Sequence, residues 1–166
     1  MIFITLGSQK FQFNRLLKKV DSLIEKGIIN EEVYAQIGYS DYKPKNYNYN
    51  EFVDRDEFSN IMKKSKIVIT HGGTGAIITA VKSGKKVIAV PRLKKYGEHV
   101  DNHQVQLLKE FDGMGFIATC YNIEDFESVY NRLNYMKFKP YVSNTEIILH
   151  SIRNFIEKTV EEDNIG

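Results

Sequence analysis

A short β-branched run, Ile67-Val68-Ile69-Thr70, gives way to His71-Gly72-Gly73-Thr74-Gly75, and helical spacing resumes directly afterwards. A strand that becomes a helix within a few residues is the building unit of layered α/β architectures. The glycines let the backbone turn sharply and bring its amides close to a ligand. A helix starting at Gly73 or Thr74 aims its unpaired N–H groups and positive dipole end at the turn, which suits a diphosphate or another anion. The turn is not a Walker loop, because no Gly-Lys-Ser/Thr follows at the required spacing. It also lacks the third glycine and the first-strand position of the dinucleotide fingerprint. His-Gly-Gly occurs in the oxyanion loop of esterases, but no Gly-x-Ser-x-Gly elbow supplies a nucleophile, which disfavours acyl hydrolysis.

The same alternation runs along the chain. Strand patterns at 2–6, 33–37, 48–53, 66–70, 86–90 and 116–119 are separated mostly by helical patterns at 13–26, 56–64, 74–83, 101–111 and 124–135. This order predicts an α/β fold: a doubly wound, Rossmann-like parallel sheet in one domain over 1–166, with ligands at the C-terminal ends of the strands. A further helical pattern over 142–162, with Ile148, Ile152, Phe155 and Ile156 in register, is expected to pack back on the domain or to dock a partner. The tyrosine- and asparagine-rich stretch 39–50 reads as a surface loop or flap without nameable chemistry. Pro91 closes the strand ending at Val90 and opens a long polar loop, 92–104, whose length between compact elements points to binding.

A chain of 166 residues buries about two thirds of its unfolded surface without needing disulfides. The single cysteine, Cys120, reads as a reduced core or strand-end residue, in keeping with a cytoplasmic protein. Met1 runs straight into an apolar stretch too short for a signal core, and no stretch approaches the roughly 20 apolar residues of a spanning helix. A net charge of +2 without a basic stripe argues against nucleic acid as a ligand. His99, Asp101 and His103 have ligand-type side chains, and two histidines four apart share a helix face. On a helix, however, Asp101 would project about 200° from His99. The three are therefore read as polar ligand contacts or as a helix start capped by Asp101, and no metal is expected.

Several segments, taken together, make the chain resemble the C-terminal, donor-binding half of GT-B glycosyltransferases of the family 28 type. They are Thr5-Leu6-Gly7-Ser8, Glu51-Phe52-Val53-Asp54, the run from Ile67 to Gly75, the run from Gly84 to Pro91, and Asp101-Asn102-His103-Gln104. Each is weak singly; jointly they cover most of the sequence. Because strand one begins at the second residue, the chain looks like the small subunit of a split transferase. It is similar to the catalytic subunit of the two-part eukaryotic UDP-GlcNAc transferase and, through 91–104, to the paired bacterial exopolysaccharide and capsule proteins.

The resemblance implies an inverting transfer from a UDP-sugar co-substrate, with no further cofactor, to an undecaprenyl-diphosphate-linked saccharide. A membrane-associated partner subunit would hold that acceptor and keep this chain peripheral to the inner face of the cell membrane. By position, Gly7, Ser8, Gly72, Gly73, Thr74 and Gly75 should face the diphosphate, with Arg92 helping to neutralise it. Phe52 and Val53 should cradle the uracil, and Asn102, His103 and Gln104 the sugar hydroxyls. His71 is the candidate catalytic base, unless the base lies on the partner. One departure stands out: where many members carry a ribose-binding glutamate, this chain has Thr79. Glu98 or a partner residue would have to compensate, or nucleotide binding is weaker. A non-catalytic nucleotide-sugar-binding or partner-stabilising role is the alternative, with a free-standing epimerase or hydrolase behind it. Homodimerisation of the isolated chain is left open, since a lone donor half exposes the surface that meets its partner.

Overall fold

The computed structural model describes residues 1–142. Six strands form one parallel sheet: β1 (Ile2–Thr5), β2 (Val33–Gln36), β3 (Asn48–Asn50), β4 (Ile67–His71), β5 (Lys86–Val90) and β6 (Ala118–Thr119). Five helices, α1 (Asn14–Glu25), α2 (Arg55–Lys64), α3 (Thr74–Lys82), α4 (His103–Gly113) and α5 (Phe126–Arg132), cross between or follow them. The expected doubly wound α/β sheet is what the chain forms. The pattern over 142–162 lies outside the described residues from position 143 onward.

Alternation along the strands sorts apolar side chains to two covered faces. Ile2, Ile4, Ile67, Ile69, Ile88 and Val90 enter one core with Leu16, Leu17 and Val20 of α1 and Phe126 and Val129 of α5. Phe3, Val68, Val87 and Ala89 enter the other with Ile77 and Ala80 of α3 and Leu108 of α4. Burial on both faces is why β1 and β4 read as continuous apolar runs.

The strand order is β3-β2-β1-β4-β5-β6. From β1 the chain winds outward through β2 and β3, then returns to β4 on the other side of β1. This reversal opens a crevice at the C-terminal ends of β1 and β4, where ligands bind in such sheets. Ile4 pairs with Ile69 and Thr5 with Thr70, so the turns after the two strands lie side by side.

Boundary differences have local causes. β3 stops at Asn50 instead of running to 53. Gly38 N–H still donates to Glu51 O at 2.8 Å, after which the chain leaves the ladder. α2 starts where Asp54 accepts from the Asp56 and Glu57 amides, and Lys63 and Lys64 complement its C-terminal dipole end. α4 starts at His103 rather than 101. A 3-10 turn at Ile123–Asp125 precedes α5. No helix among the described residues is long and apolar enough to cross a membrane.

The stretch 39–50 is tied down. Asp21, buried on the apolar face of α1, accepts from the Tyr42 hydroxyl and from the Lys45 and Asn46 amides at 2.9 and 2.8 Å. Burial opposes ionisation of this carboxyl, but the Tyr42 and backbone donors outweigh it and hold its pKa below the usual value. The carboxylate's contribution to stability is therefore present above the ordinary carboxylate range and is lost as pH falls through its lowered pKa. Asp21→Ala should destabilise the fold by about 2 kcal/mol, lowering Tm by about 4–8 °C. It should also open 39–47 to protease while leaving helix content unchanged. An unaltered Tm at neutral pH would show that the anchor contributes nothing.

Candidate functional site

Gly7 ends β1 in a left-handed conformation, φ 71°, and its turn faces the His71-Gly72-Gly73 turn after β4. The His71 ring lies between them. A methyl group on Gly7 would stand 2.9 Å from His71 Cε1, and one on Gly73 would overlap His71 Nε2. A methyl on Gly72 would stand 2.6 Å from Gln104 Cβ. Gly7, Gly72 and Gly73 are therefore all required by the protein's own side chains, a reason for their presence that the sequence alone did not reveal, whereas Gly75 has open space around it. Gly73 occupies the N-cap of α3 without a side-chain cap, and the first amide bonded back to it is that of Ile77, at 3.2 Å. The Thr74 and Gly75 amides consequently face outward on exposed residues.

His71 is only 7 % exposed. Thr70 Oγ1 donates to Thr5 O at 2.8 Å and lies 3.4 Å from His71 Nδ1. With the hydroxyl proton committed, Oγ1 is left to accept from Nδ1–H, which turns the Nε2 lone pair towards the glycine turn. Burial, reinforced by the nearby Arg92 cation, lowers the imidazole pKa to about 4, so the ring is neutral at physiological pH.

Arg92 lies beside the β1 turn but is buried there. It is 1 % exposed, donates from Nη2 to Leu6 O at 2.8 Å and Phe11 O at 3.3 Å, and stacks over Phe13. Its Nη2 is thus held behind the β1 turn, while Nε and Nη1 are buried without a partner among the described residues; in this conformation its charge reaches the crevice through its field. Burial lowers its pKa to about 10, against the opposing pull of Glu98, so it keeps its charge at neutral pH. Glu98 is corrected as a stand-in for the ribose ligand. It is fully buried, pairs bidentately with Arg15 at 2.9 and 2.8 Å, and accepts from Leu93 N.

Gln104 is nearly buried, and its Oε1 accepts from Gly72 N at 3.1 Å and Arg92 N at 3.0 Å. This clamps the glycine turn to the loop after β5 and leaves the amide NH2 as the end able to meet a ligand. Asn102 is exposed and uses Oδ1 to hold Lys94 N at 3.0 Å. His103, also exposed, bonds through Nδ1 to Asp101. Asp101 is not the N-cap of α4, a position held by Asn102 without a side-chain cap; from one residue earlier its Oδ1 accepts from His103 N at 3.0 Å. Residues 99–102 are not helical, however, so the helix-face argument that separated Asp101 from the histidines does not hold.

On the other side of Gly7, Ser8 is exposed, and the Gly38 backbone packs against Gly7 O. Beyond it Phe52, 44 % exposed, meets Tyr39 edge-to-face at 5.2 Å in a hollow of about 300 Å³. Val53 is half-buried beside it. Tyr39 was not singled out from the sequence; its signal was its place just after a strand end. A larger hollow, of about 670 Å³, lies along α5 between Glu124 and Tyr135 and contains none of these residues. Thr79 is exposed on α3 and donates its hydroxyl to Gly75 O at 2.8 Å.

Comparison with known proteins bears on the family and the fold. The profile of the glycosyltransferase family 28 C-terminal domain matches residues 1–159. The human UDP-N-acetylglucosamine transferase subunit ALG13 is 23 % identical over 128 residues; the match takes in 72 % of this chain and only 11 % of that relative. The solution NMR structure of ALG13 superposes with a TM-score of 0.58 at 17 % identity, covering 91 % of this chain and 93 % of that one. MurG from Acinetobacter baumannii superposes with a TM-score of 0.56 at 16 % identity, over 80 % of this chain and 40 % of that one. At these identities the structural likeness establishes the fold.

The His71 pKa sets a pH dependence. Its folded value of about 4 lies below the ordinary 6.5, so the unfolded chain takes up the proton first as pH falls. Stability is unaffected by this group above pH 6.5 and declines between 6.5 and about 4, by up to about 3 kcal/mol in all. The ring should show no protonation by NMR at pH 5.5, and His71→Gln should flatten the fall of Tm across that window. A ring titrating near 6.5 would contradict the burial argument.

Proposed function

The chain belongs to the glycosyltransferase family 28 C-terminal domain family, and on that premise we propose that it is the donor-binding subunit of an inverting UDP-sugar glycosyltransferase. It acts with a membrane-associated partner, at the cytoplasmic face of the membrane, on an undecaprenyl-diphosphate-linked saccharide in exopolysaccharide or capsule synthesis. The observation that carries the reading is the run of features at the sheet's switch point: an aromatic hollow, the Gly7 turn and the free amides of α3. The relative whose name describes a UDP-N-acetylglucosamine transferase subunit supports both the donor class and the need for a partner.

In this reading the uracil ring lies against Phe52 and Tyr39 with its edge read by backbone near Val53, and the diphosphate sits on the amides of Gly7, Ser8, Thr74 and Gly75. The Gln104 NH2, Asn102 and His103 meet the sugar hydroxyls. An acceptor hydroxyl oxygen attacks the anomeric carbon from the face opposite the diphosphate. The bond to the β-phosphate oxygen breaks with its electron pair, and the hydroxyl proton passes to a base. The neutral Nε2 of His71 is the candidate on this chain; its low pKa makes it a weak base, which leaves a partner base as the competing assignment. The departing UDP is stabilised by the helix amides and by the buried Arg92 charge.

The second reading, a nucleotide-sugar-binding or partner-stabilising subunit without chemistry, rests on Thr79. Its hydroxyl proton is spent within α3, and a hydroxyl cannot match a carboxylate that grips a ribose diol.

Calorimetry of the purified chain should show UDP and UDP-sugars binding in preference to ADP, with Gly73→Val abolishing binding because its side chain collides with His71. Absence of binding to both the chain and the assembled pair would end the donor reading. Thr79→Glu should tighten UDP binding about tenfold by restoring a carboxylate to the ribose. With the partner present, His71→Gln, which keeps a polar side chain between the two turns, should lower kcat and leave UDP affinity within about threefold; unchanged kcat would move the base to the partner.

A further inference from the structure

We propose that His99, Asp101 and His103 form a binding site for one first-row divalent cation, with the cation's remaining positions open to the donor crevice. Each residue offers a ligand atom, and the three atoms lie within 4.8 Å of one another. The Nδ1 atoms of both histidines converge on the same carboxylate oxygen, Asp101 Oδ1, at 3.1 Å from His99 and closer from His103.

His99 Nδ1 faces Asp101 Oδ1 at 3.1 Å and the Asp101 N–H at 3.3 Å. The carboxylate oxygen can only accept, so either a ring proton or a cation lies between it and each imidazole nitrogen. A cation shared by Oδ1 and both Nδ1 atoms replaces those two protons, takes the single lone pair of each nitrogen and releases the longer Asp101 N–H contact.

The groups are held in place before any ion arrives. His99 is 8 % exposed, stacks on Phe11 at 5.2 Å and meets His103 edge-on at 4.8 Å. Asp101, two residues before α4 begins, is fixed by the His103 amide. Two imidazoles and one carboxylate suit zinc, manganese or iron rather than magnesium or calcium, and three protein ligands leave positions for other donors.

Phe11 belongs to the loop after β1, and the next residue in α4, Gln104, clamps the glycine turn. The open side therefore borders the crevice between β1 and β4. A diphosphate oxygen is the outer ligand this location favours, and only that detail rests on the donor reading above.

The metal-stripped chain should bind one equivalent of Zn²⁺ or Mn²⁺ by calorimetry, and Co²⁺ should give the absorption bands of imidazole coordination. Asp101→Asn and His103→Ala alter side chains that are 54 % and 48 % exposed, so both variants should fold, as circular dichroism will verify. Each should weaken binding at least tenfold. Binding that survives both variants is adventitious and overturns the site, as does absence of binding at millimolar cation. UDP should tighten cation binding, and the cation should tighten UDP binding by the same factor. UDP that binds in EDTA without this coupling removes the outer-ligand assignment, whereas failure of UDP to bind at all condemns the donor reading and leaves the cation titration to stand on its own.

Discussion

The structure turns on one steric constraint, the His71 ring wedged between the turns that follow β1 and β4. Neighbouring parallel strands lie about 4.8 Å apart, so the turns leaving them compete for the same space. Here that space is filled by an imidazole, and a side chain on Gly73 or Gly7 would displace it. The glycines thus serve the protein before they serve any ligand. With the ring in place, the two turns hold one relative position, and the amides at the start of α3 have no partner within the helix. A concavity made this way is organised in the free chain, which in the proposed scheme would limit the ordering free energy a bound diphosphate must offset.

A second layer holds the long loop after β5 against that wedge. Arg92, Arg15 and Glu98 are all withdrawn from solvent, and their charges do not cancel. Burying an ion pair brings little net stability, but removing one partner from it is strongly destabilising. The arrangement therefore fixes the loop's conformation more than it adds to the fold's stability. The surplus positive charge also has a direction. Arg92 donates to Leu6 O immediately behind Gly7, and its Nε and Nη1 have no partner among the described residues. A cation below the turn raises the potential where a diphosphate would sit and, by the same field, adds to the burial that keeps His71 from protonating. One buried guanidinium thereby couples two properties of the crevice, its attraction for anions and the neutrality of its imidazole.

What was legible in the sequence was what depends on near neighbours. The strands announced themselves because both sheet faces are buried, which forces continuous β-branched runs. The turn at His71-Gly72-Gly73 was visible because close backbone approach demands glycine. Loop 92–104 was visible as a feature, but its interior was not, because it is built from pairs far apart in the chain. Arg15 meets Glu98 across 83 positions, and Arg92 meets Leu6 across 86. Arg92 and Glu98 read as ligand contacts for that reason, since nothing local distinguishes an exposed charge from a paired, buried one. The segment 99–102 failed differently: a helical period was extended two residues past the true start of α4, which put Asp101 on the wrong face. Asp21 could have been recognised, as an acid on the apolar stripe of α1 demands partners, and the nearest polar stretch is the loop it holds.

Gln104 shows how these layers meet in one side chain. Its carboxamide oxygen takes the Gly72 amide from the turn and the Arg92 amide from the end of β5, so the β4 turn, the charged loop and α4 share a single acceptor. A ligand that draws on the turn amides therefore acts on the loop that carries Asn102 and His103, and a ligand on the loop acts on the turn. Such a shared acceptor gives diphosphate and sugar a physical reason to bind together rather than independently. It also explains why the site tolerates threonine at position 79 in the proposed scheme. In that scheme the ribose would lie between the Gly7 turn, which packs on Gly38, and the glycine turn that Gln104 holds. A missing contact in the middle lowers affinity without loosening the geometry at the reacting end.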